Sequence, residues 1–238
     1  MEPTDNIPLE GIINLDKPPG LSSARAVARV KRLLPRGTKI GHAGTLDPFA
    51  TGVLLLLIGK ATRLCETLMD SPKQYEAVVK LGATTPTDDP DSEPTPTPGA
   101  IAPQRGEILA ALPAFIGRIT QLPPAFSALK VGGRRAYDLA RSGQEVSLQP
   151  RVVRVDAIEL LDYEWPLLRI KVDCGRGTYI RAIARDLGKA LNVGGHLSEL
   201  RRTRVGDFWA RESVSLETLA ERGVRANLRL LHRPPAGN

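Results

Sequence analysis

The chain has 238 residues, of which 42% are hydrophobic and 25% are charged, and its formal net charge is +7 at pH 7. This composition is typical of a globular protein of one or two domains, and the positive charge favours a polyanionic partner such as nucleic acid. Aromatic residues make up 4% of the chain, which argues against recognition of single strands by many stacking platforms. Two cysteines and three histidines argue against a disulfide framework and a zinc site.

The N-terminal sequence MEPTDNIPLEG has neither a basic leader nor an apolar signal core. The apolar run at residues 53–58, VLLLLI, is too short to span a membrane. We therefore expect a cytoplasmic protein that does not associate with membranes.

The first predicted elements are a strand at residues 12–15, a turn at residues 17–20 and a helix that continues to about Leu34. Ser22 or Ser23 is the expected N-cap of this helix, because a serine side chain accepts a hydrogen bond from a free amide of the first turn. Lys17, taken in isolation, is typical of a solvated loop.

A loop with the sequence GHAGTLDPFATG occupies residues 41–52 and leads into the apolar run, which predicts a buried strand. Asp47 precedes Pro48, and a proline biases the residue before it away from helical dihedrals. We therefore expect the Asp47 carboxylate on a rigid turn at the start of the strand. Such a carboxylate suits either catalysis or capping of the turn, and the spacing alone favours the cap.

The middle of the chain predicts a helix after this strand and then a second strand at residues 75–81, which begins with Tyr75. The apolar stripe of that helix consists of Leu64, Cys65, Leu68 and Met69. Residues 84–103 repeat Pro, Thr and Asp, a composition that predicts an exposed, mobile loop without regular structure. A further helix is predicted at residues 107–115.

A basic segment follows between residues 120 and 151, with Gly132 and Gly133 as an expected hinge. Its basic residues are Lys130, Arg134, Arg135, Arg141 and Arg151. Basic residues on such a segment are commonly no more than a solvated surface, and they also suit contacts with phosphates.

The last third predicts two paired strands, at residues 151–161 and 167–174. The segment GRGTYIR then leads into a helix with Thr178 as its expected N-cap. A basic strand is predicted at residues 194–206, and a short final helix begins at Ser215.

The segment HAGTLDPFATGVL resembles the active-site signature of the B-type pseudouridine synthases, which modify the TΨC loop of tRNA. Five further segments resemble motifs of this family, in the family's order, and the resemblance covers residues 8–212. They are K-P-x-G-x-S from Lys17, K-x-Y-x-A around Tyr75, P-P-x-x-S-A-L-K up to Lys130, C-x-x-G-T-Y-I-R up to Arg181, and a segment around His196 that ends in L-R-R-x-x-x-G.

The resemblance implies an α/β (α+β) fold, in which a mixed, largely antiparallel sheet is flanked by helices around a central active-site cleft. It implies a catalytic domain over residues 1–212 with a thumb loop at about 120–151. Residues 213–238 would form a short helix and tail, without the full RNA-binding PUA-type domain that many bacterial members carry. The K-P-x-G-x-S segment is expected to pack beside the catalytic loop and to be mainly structural, and His196 is also expected to be structural.

The resemblance makes Asp47 the essential catalytic residue, either as a nucleophile at the ribose or as a base at the C2′ proton. Arg181 would hold this carboxylate charged and oriented, whereas its local context suggests only a surface arginine in a first helical turn. Tyr75 and Leu200 would cover opposite faces of the target uracil, and Tyr179 would line the same pocket. The Tyr75 hydroxyl could also help to remove the C5 proton.

The remaining expectations concern RNA. His42 would fill the space left by the flipped uridine, although a plain loop histidine fits its position equally well. Lys130, Arg134 and Arg135 in the thumb loop, together with the basic residues at 201–204, would contact phosphates. Acidic residues at 84–103 would face away from the RNA.

The expected reaction is the isomerisation of uridine to pseudouridine at uridine-55, in the TΨC stem-loop of tRNA. The reaction oxidises and reduces nothing and loses no group, so we expect no cofactor and no metal. We also expect a monomeric enzyme. Residues 52–59 lack the glycine spacing of a nucleotide-binding loop. Two alternatives remain: a tRNA-binding or tRNA-folding module with secondary catalysis, and a guide-RNA-dependent synthase.

Overall fold

The computed structural model describes residues 9–126, 130–131, 134–135 and 148–229. In chain order, its strands and helices are β1 (Gly11–Lys17), α1 (Ser23–Lys31), β2 (Ile40–Ala43), β3 (Thr51–Ile58), α2 (Cys65–Asp70), β4 (Lys73–Leu81), β5 (Ala83–Thr84), β6 (Thr95–Pro96), α3 (Arg105–Ala111), β7 (Gly117–Gln121), β8 (Lys130–Val131), β9 (Arg134–Arg135), β10 (Arg151–Glu164), β11 (Leu167–Cys174), α4 (Ile180–Ala190), β12 (Gly195–Val205), β13 (Phe208–Trp209) and α5 (Leu216–Arg222). The chain divides into two compact units, Met1–Ser71 with Arg202–Asn238 and Pro72–Arg201.

The first unit is built on β3, which is buried from its second residue to its last, as its continuous apolar run predicts. β1 pairs with it antiparallel from Gly11 opposite Ile58 to Lys17 opposite Gly52, and β2 pairs antiparallel with its second half. The predicted apolar stripe of α2 and the residues before it pack against a core that includes Val53, Leu55 and Leu57.

Two helices of this unit begin with serine N-caps, at the predicted cap of α1 and at the predicted start of α5. Ser22 is the N-cap of α1, and its side chain accepts a hydrogen bond from the amide of Arg25. Ser215 caps α5 in the same way, and Gly223, with φ of 78°, ends that helix. α1 ends at Lys31, three residues earlier than predicted.

The second unit contains an antiparallel set of strands in the order β4, β11, β10, β7. β4 alternates between buried and half-buried residues along its whole length, which is the period of a strand with one face on a core. β10 and β11 form the hairpin predicted for residues 151–174, and β12 begins in this unit beside β4.

The prediction for residues 84–103 is wrong at the N-terminal end of the segment. β5 and β6 form a short antiparallel pair, with Ala83 opposite Pro96 and Thr84 opposite Thr95. The TPTDD run between them is not exposed, because four of its side chains are buried: Thr85, Thr87, Asp88 and Asp89. Hydrogen bonds within the run and ion pairs to α4 satisfy these polar groups, which is the usual condition for their burial.

The N-cap prediction for α4 is also wrong. Tyr179 occupies the cap position and no side chain caps the helix, whereas the hydroxyl of Thr178 donates to the carbonyl of Arg154. α4 approaches the start of β12 closely at Gly188, where a Cβ atom would lie 2.3 Å from the amide nitrogen of Gly195. None of the helices within the described residues is long and apolar enough to cross a membrane.

Candidate active site

Asp47 lies half-buried in the loop between β2 and β3, in the first unit. Its carbonyl accepts a hydrogen bond from the amide of Ala50 at 3.2 Å, which closes a turn around Pro48. The residue before it, Leu46, is buried. The loop therefore presents a carboxylate from a turn that is anchored on one side in the core.

Ser23 fixes the backbone immediately before Asp47. This serine is buried at the start of α1, and its hydroxyl donates to the Leu46 carbonyl at 3.0 Å and accepts from the Leu46 amide at 2.9 Å. Both backbone polar groups of one residue are thus satisfied by a single side chain, so the peptide units that flank Leu46 cannot rotate without losing a buried hydrogen bond.

Lys17 fixes the backbone immediately after Asp47. Its side chain is fully buried, and Nζ donates to the carbonyls of Leu21 at 2.7 Å, Pro18 at 2.9 Å and Pro48 at 3.2 Å. Burial lowers the pKa of Lys17 to about 8; the Asp47 charge raises it and the Arg202 charge lowers it further. Lys17 is therefore no solvated loop lysine, and the K-P-x-G-x-S segment packs beside the Asp47 loop as expected.

Arg202 holds both ends of the same loop. Its residue exposure is 1%, Nε donates to the Val53 carbonyl at 2.7 Å, and Nη2 donates to the Gly44 carbonyl at 3.0 Å. The Arg202 backbone also lies against Gly52, where a Cβ atom would be 2.2 Å from the Arg202 carbonyl oxygen. A phosphate contact for Arg202 is wrong for this reason, since its guanidinium is committed to the loop. The phosphate contacts expected of Arg201 and Arg204 stay predictions.

Lys17, Ser23 and Arg202 together form what we call the loop clamp. All three bind backbone atoms of the loop, so the clamp fixes where the Asp47 carboxylate is presented, and the Lys17 charge also interacts with that carboxylate. Lys17 was expected to be structural, whereas the sequence patterns did not predict the clamping roles of Ser23 and Arg202. The sequence did offer a signal for these residues, because all three lie within residues 8–212, which resemble the family.

Arg181 lies in the first turn of α4 in the second unit and is 3% exposed, which excludes the surface arginine that its local context suggested. Nη1 donates to Oδ2 of Asp89 at 2.9 Å and to the Thr87 carbonyl at 3.1 Å, and Nη2 donates to the Phe126 carbonyl at 2.9 Å. Asp89 is a residue that the sequence analysis missed. The proposed partnership of Arg181 with Asp47 stays a prediction.

The aromatic residues predicted for the site occupy the second unit as well. Tyr75 lies on β4 opposite Val172 and is buried, and Leu200 on β12 is buried too. Tyr179 precedes α4, and its backbone is held by the buried Gln121, whose Oε1 accepts from the Tyr179 amide at 3.1 Å and whose Nε2 donates to its carbonyl at 3.3 Å. Gln121 is another positioning residue that the sequence analysis missed.

His42 lies on β2 in the first unit, half-buried, and its carbonyl accepts from the thiol of Cys65 at 3.5 Å. Its role at the vacated uridine position stays a prediction. Backbones at Lys130–Val131 and Arg134–Arg135 form the antiparallel pair β8–β9, but the side chains of these basic residues lie outside what the structure describes. Within the described residues, no group of three or more His, Cys, Asp or Glu side chains could hold a metal ion.

Known sequence families match nearly all of the chain. Residues 31–180 match the N-terminal domain of the TruB family pseudouridylate synthases, and residues 181–232 match the C-terminal domain of tRNA pseudouridylate synthase B. The chain belongs to the TruB family. The resemblance on which the site residues were assigned is thereby confirmed, while their individual roles stay predictions.

Several TruB-family relatives align over most of this chain. The tRNA pseudouridine synthase B of Xanthomonas oryzae is 48% identical over 94% of this chain and 73% of its own length. The protein of the same name from Mycobacterium ulcerans is 49% identical over 89% of this chain and 71% of its own length.

Solved structures of TruB relatives share the fold. A Cbf5–Nop10–Gar1 complex matches with a TM-score of 0.69 at 34% identity over 89% of this chain, and an H/ACA RNP bound to a substrate RNA containing 2′-deoxyuridine matches with a TM-score of 0.65 at 33% identity over 89%. The chain spans about half the length of these two matched chains, 54% and 52%. The expected mixed α and β fold with a largely antiparallel sheet is confirmed.

Proposed function

We propose that this protein isomerises uridine to pseudouridine in the TΨC loop of tRNA, with Asp47 as its catalytic carboxylate. The observation that carries the proposal is the loop clamp, because it gives one half-buried carboxylate a fixed position at the motif that matches the TruB family. Relatives named tRNA pseudouridine synthase B, about half identical over most of the chain, support tRNA as the substrate.

The reaction requires that the N1–C1′ glycosidic bond breaks, that the uracil turns, and that a C5–C1′ bond forms with loss of the C5 proton. Asp47 acts as the nucleophile at C1′ or as the base at C2′, and both roles need an ionised carboxylate held at a fixed point on the ribose. The balance of the reaction needs no electron carrier or transferred group, so the proposal includes no cofactor.

Tyr75, Tyr179 and Leu200 supply the surfaces for the flipped base. A base removed from its stack needs apolar or aromatic contact on its faces, and Tyr75 and Leu200 are both buried side chains of the same unit. The Tyr75 hydroxyl then helps to relay the C5 proton to solvent. The two hydrogen bonds from Gln121 hold the Tyr179 backbone in place for its part in the pocket.

Arg181 orients Asp47 in this proposal, and Asp89 in turn orients Arg181. A guanidinium presents several donors in one plane, so it can hold Asp89 and still donate to a second carboxylate. The bonds to the carbonyls of Thr87 and Phe126 fix that plane. The partner in RNA binding is the TΨC stem-loop, whose phosphates contact Lys130, Arg134 and Arg135, and the enzyme acts as a cytoplasmic monomer.

The test is to incubate the purified protein with an unmodified tRNA transcript and to map pseudouridine by carbodiimide treatment and primer extension. We expect one modified uridine in the TΨC loop without any added RNA or protein. A second reaction with Asp47→Asn serves as the blank. Activity that appears only when a guide RNA is supplied would replace the proposal with a guide-dependent synthase, and binding without modification would leave an RNA-binding module.

A further inference from the structure

Arg185 lies one helical turn after Arg181 on α4 and forms a second set of bonds of the same kind. Its Nη1 donates to Oδ2 of Asp88 at 2.9 Å, its Nη2 donates to the Leu122 carbonyl at 2.9 Å, and its Nε donates to Oδ1 of Asp186 at 2.8 Å. Consecutive aspartates, Asp88 and Asp89, thus pair with arginines four residues apart on one helix.

The two arginines bind the same short stretch of backbone. β7 ends at Gln121, and the chain then passes through residues 122–126 into the basic segment of the proposed thumb loop. Arg185 takes the carbonyl of the first residue of this stretch, Leu122, and Arg181 takes the carbonyl of the last, Phe126. Leu122 is 48% exposed as a residue, and its carbonyl is the group that Arg185 holds.

Asp88 is itself fixed by backbone contacts independent of Arg185. Its φ is 59°, and its carbonyl accepts from the Leu197 amide on β12 at 3.1 Å. Burial raises the pKa of Asp88, and the charge of Arg185 and its hydrogen bond act against this shift. The two charges therefore depend on each other, and the Leu122 carbonyl is held by a guanidinium that Asp88 keeps in place.

We propose that Arg185, held by Asp88, is a positioning residue for RNA binding that sets where the basic segment leaves β7. The inference rests on the proposed function only in that this segment grips RNA. It differs from the role of Arg181, which is assigned to the catalytic carboxylate, because the bonds of Arg185 go to the carboxylates of Asp88 and Asp186 and to the Leu122 backbone at the start of the basic segment.

A merely structural role for Arg185 predicts a different result. Loss of stability alone lowers the fraction of folded enzyme, so it scales the amount of active protein without changing the Kd of the molecules that remain folded. A positioning role raises Kd for RNA while the single-turnover rate at saturating RNA stays close to that of wild type. A rise in Kd without a fall in the single-turnover rate therefore distinguishes the positioning role from the structural one.

The experiment compares wild type, Arg185→Gln, Arg185→Lys and Asp88→Asn, with Val79→Ala as a control for destabilisation. Val79 is buried on β4 of the same unit and has no polar contact with the anchor. Asn suits position 88, because it tolerates the positive φ found there. For each protein we measure thermal unfolding, the Kd for an unmodified TΨC stem-loop, and the single-turnover rate at saturating RNA.

We expect Arg185→Gln to raise Kd by about tenfold, the change that loss of one charge-assisted hydrogen bond produces, with a single-turnover rate within about twofold of wild type. Arg185→Lys keeps a charge beside Asp88 but cannot serve three acceptors in one plane, so it also raises Kd. Asp88→Asn raises Kd less, and the Asp88→Asn/Arg185→Gln double variant is no weaker than Arg185→Gln.

An unchanged Kd in folded Arg185→Gln overturns the proposal, and so does an equal rise in Val79→Ala. If Arg185→Gln does not fold, Arg185→Lys decides between the same two results. A wild-type protein that binds the stem-loop but makes no pseudouridine refutes the proposed function, while the Kd comparison still tests Arg185.

Discussion

Lys17 in the loop clamp and Arg185 on α4 are both cations that anchor backbone carbonyls, yet their pKa values move in opposite directions. Burial lowers the pKa of Lys17 to about 8, and its three hydrogen bonds go to neutral carbonyls. Burial also acts to lower the pKa of Arg185, but hydrogen bonds and charge from Asp186 and Asp88 outweigh it and raise the pKa.

The difference lies in the acceptors. A carbonyl oxygen accepts a hydrogen bond from a cationic side chain but does not neutralise the charge of that side chain. A carboxylate does both. The Asp47 loop is therefore held by a clamp built on carbonyl acceptors, and the 122–126 stretch is held by arginines that carry their own counter-charges. Four variants test this contrast, from the largest expected effect to the smallest.

Asp47→Asn should reduce turnover by at least about 10²–10⁴-fold, because the ionised carboxylate is lost while the hydrogen bonds of the clamp to the loop backbone remain. Thermal unfolding and stem-loop binding should remain close to wild type. Asp70→Asn, at an exposed position at the end of α2, is the matched control for the same chemical change. Substantial pseudouridine formation by Asp47→Asn would remove Asp47 from the mechanism.

Arg181→Ala should lower the free energy of unfolding by about 3–5 kcal/mol, because it leaves the Asp89 carboxylate buried without its partner. The Arg181→Met/Asp89→Leu double variant should recover much of this loss, since both charges are then absent. It should not recover activity. Chemical denaturation and single-turnover assays of the single and double variants measure the two effects separately.

The activity loss of Arg181→Ala should also ease as the pH rises. In the proposed partnership, loss of the guanidinium lets Asp47 take up a proton more readily, and alkali restores the carboxylate. A loss that is the same at every pH would limit Arg181 to positioning the 122–126 stretch or to contacting RNA.

Arg202→Met should lower the free energy of unfolding by about 2–4 kcal/mol, because it removes the guanidinium donors of the buried Val53 carbonyl and the half-buried Gly44 carbonyl. The single-turnover rate should also fall, since the Asp47 loop loses a support at each end. The salt dependence of RNA binding should not change, because Arg202 contacts no phosphate. Arg211→Met, at an exposed position of the same unit, is the control; a flatter salt slope in Arg202→Met would restore the phosphate contact.

Lys17→Met tests the loop clamp through the pH dependence of protein stability. The pKa of Lys17 is about 8 in the folded state and about 10.4 in the unfolded state. Between these pH values the unfolded state binds more protons than the folded state. The stability of wild type relative to Lys17→Met therefore rises with pH in this window. The rise should be about 1 kcal/mol per pH unit at most. Urea denaturation of both proteins from pH 7 to 10 measures it, and parallel stability curves would show that Lys17 does not titrate in this window.

The sequence predicted the features that local patterns determine. The apolar run of β3, the alternation of β4 and the serine caps of α1 and α5 each depend on residues within one element, and each is confirmed. Family motifs named the candidate site residues, because a motif names positions even where the fold is unknown. The same motifs did not name the partners of those residues.

The missed features of the candidate site are mostly pairings between distant parts of the chain. Pro, Thr and Asp at residues 84–103 predicted a loop, but burial of its aspartates depends on Arg181 and Arg185, more than ninety residues away in sequence. Arg202 similarly belongs to a run of basic residues whose charge predicted contacts with RNA. Its hydrogen-bond acceptors lie about 150 residues earlier in the chain. No window of sequence contains both members of such a pair.

The adjacency of Asp88 and Asp89 also fixes the length of the chain around them. Each carboxylate meets its own arginine, and the Thr85 hydroxyl bonds to the Asp89 carbonyl at 2.9 Å, so adding or removing one residue between positions 85 and 89 would offset both pairings together. Residues 98–102 carry no such constraint and are largely exposed. A library of insertions should therefore yield active enzymes at 98–102 and none at 85–89, which makes the second half of this loop the place to attach a tag or a fused domain.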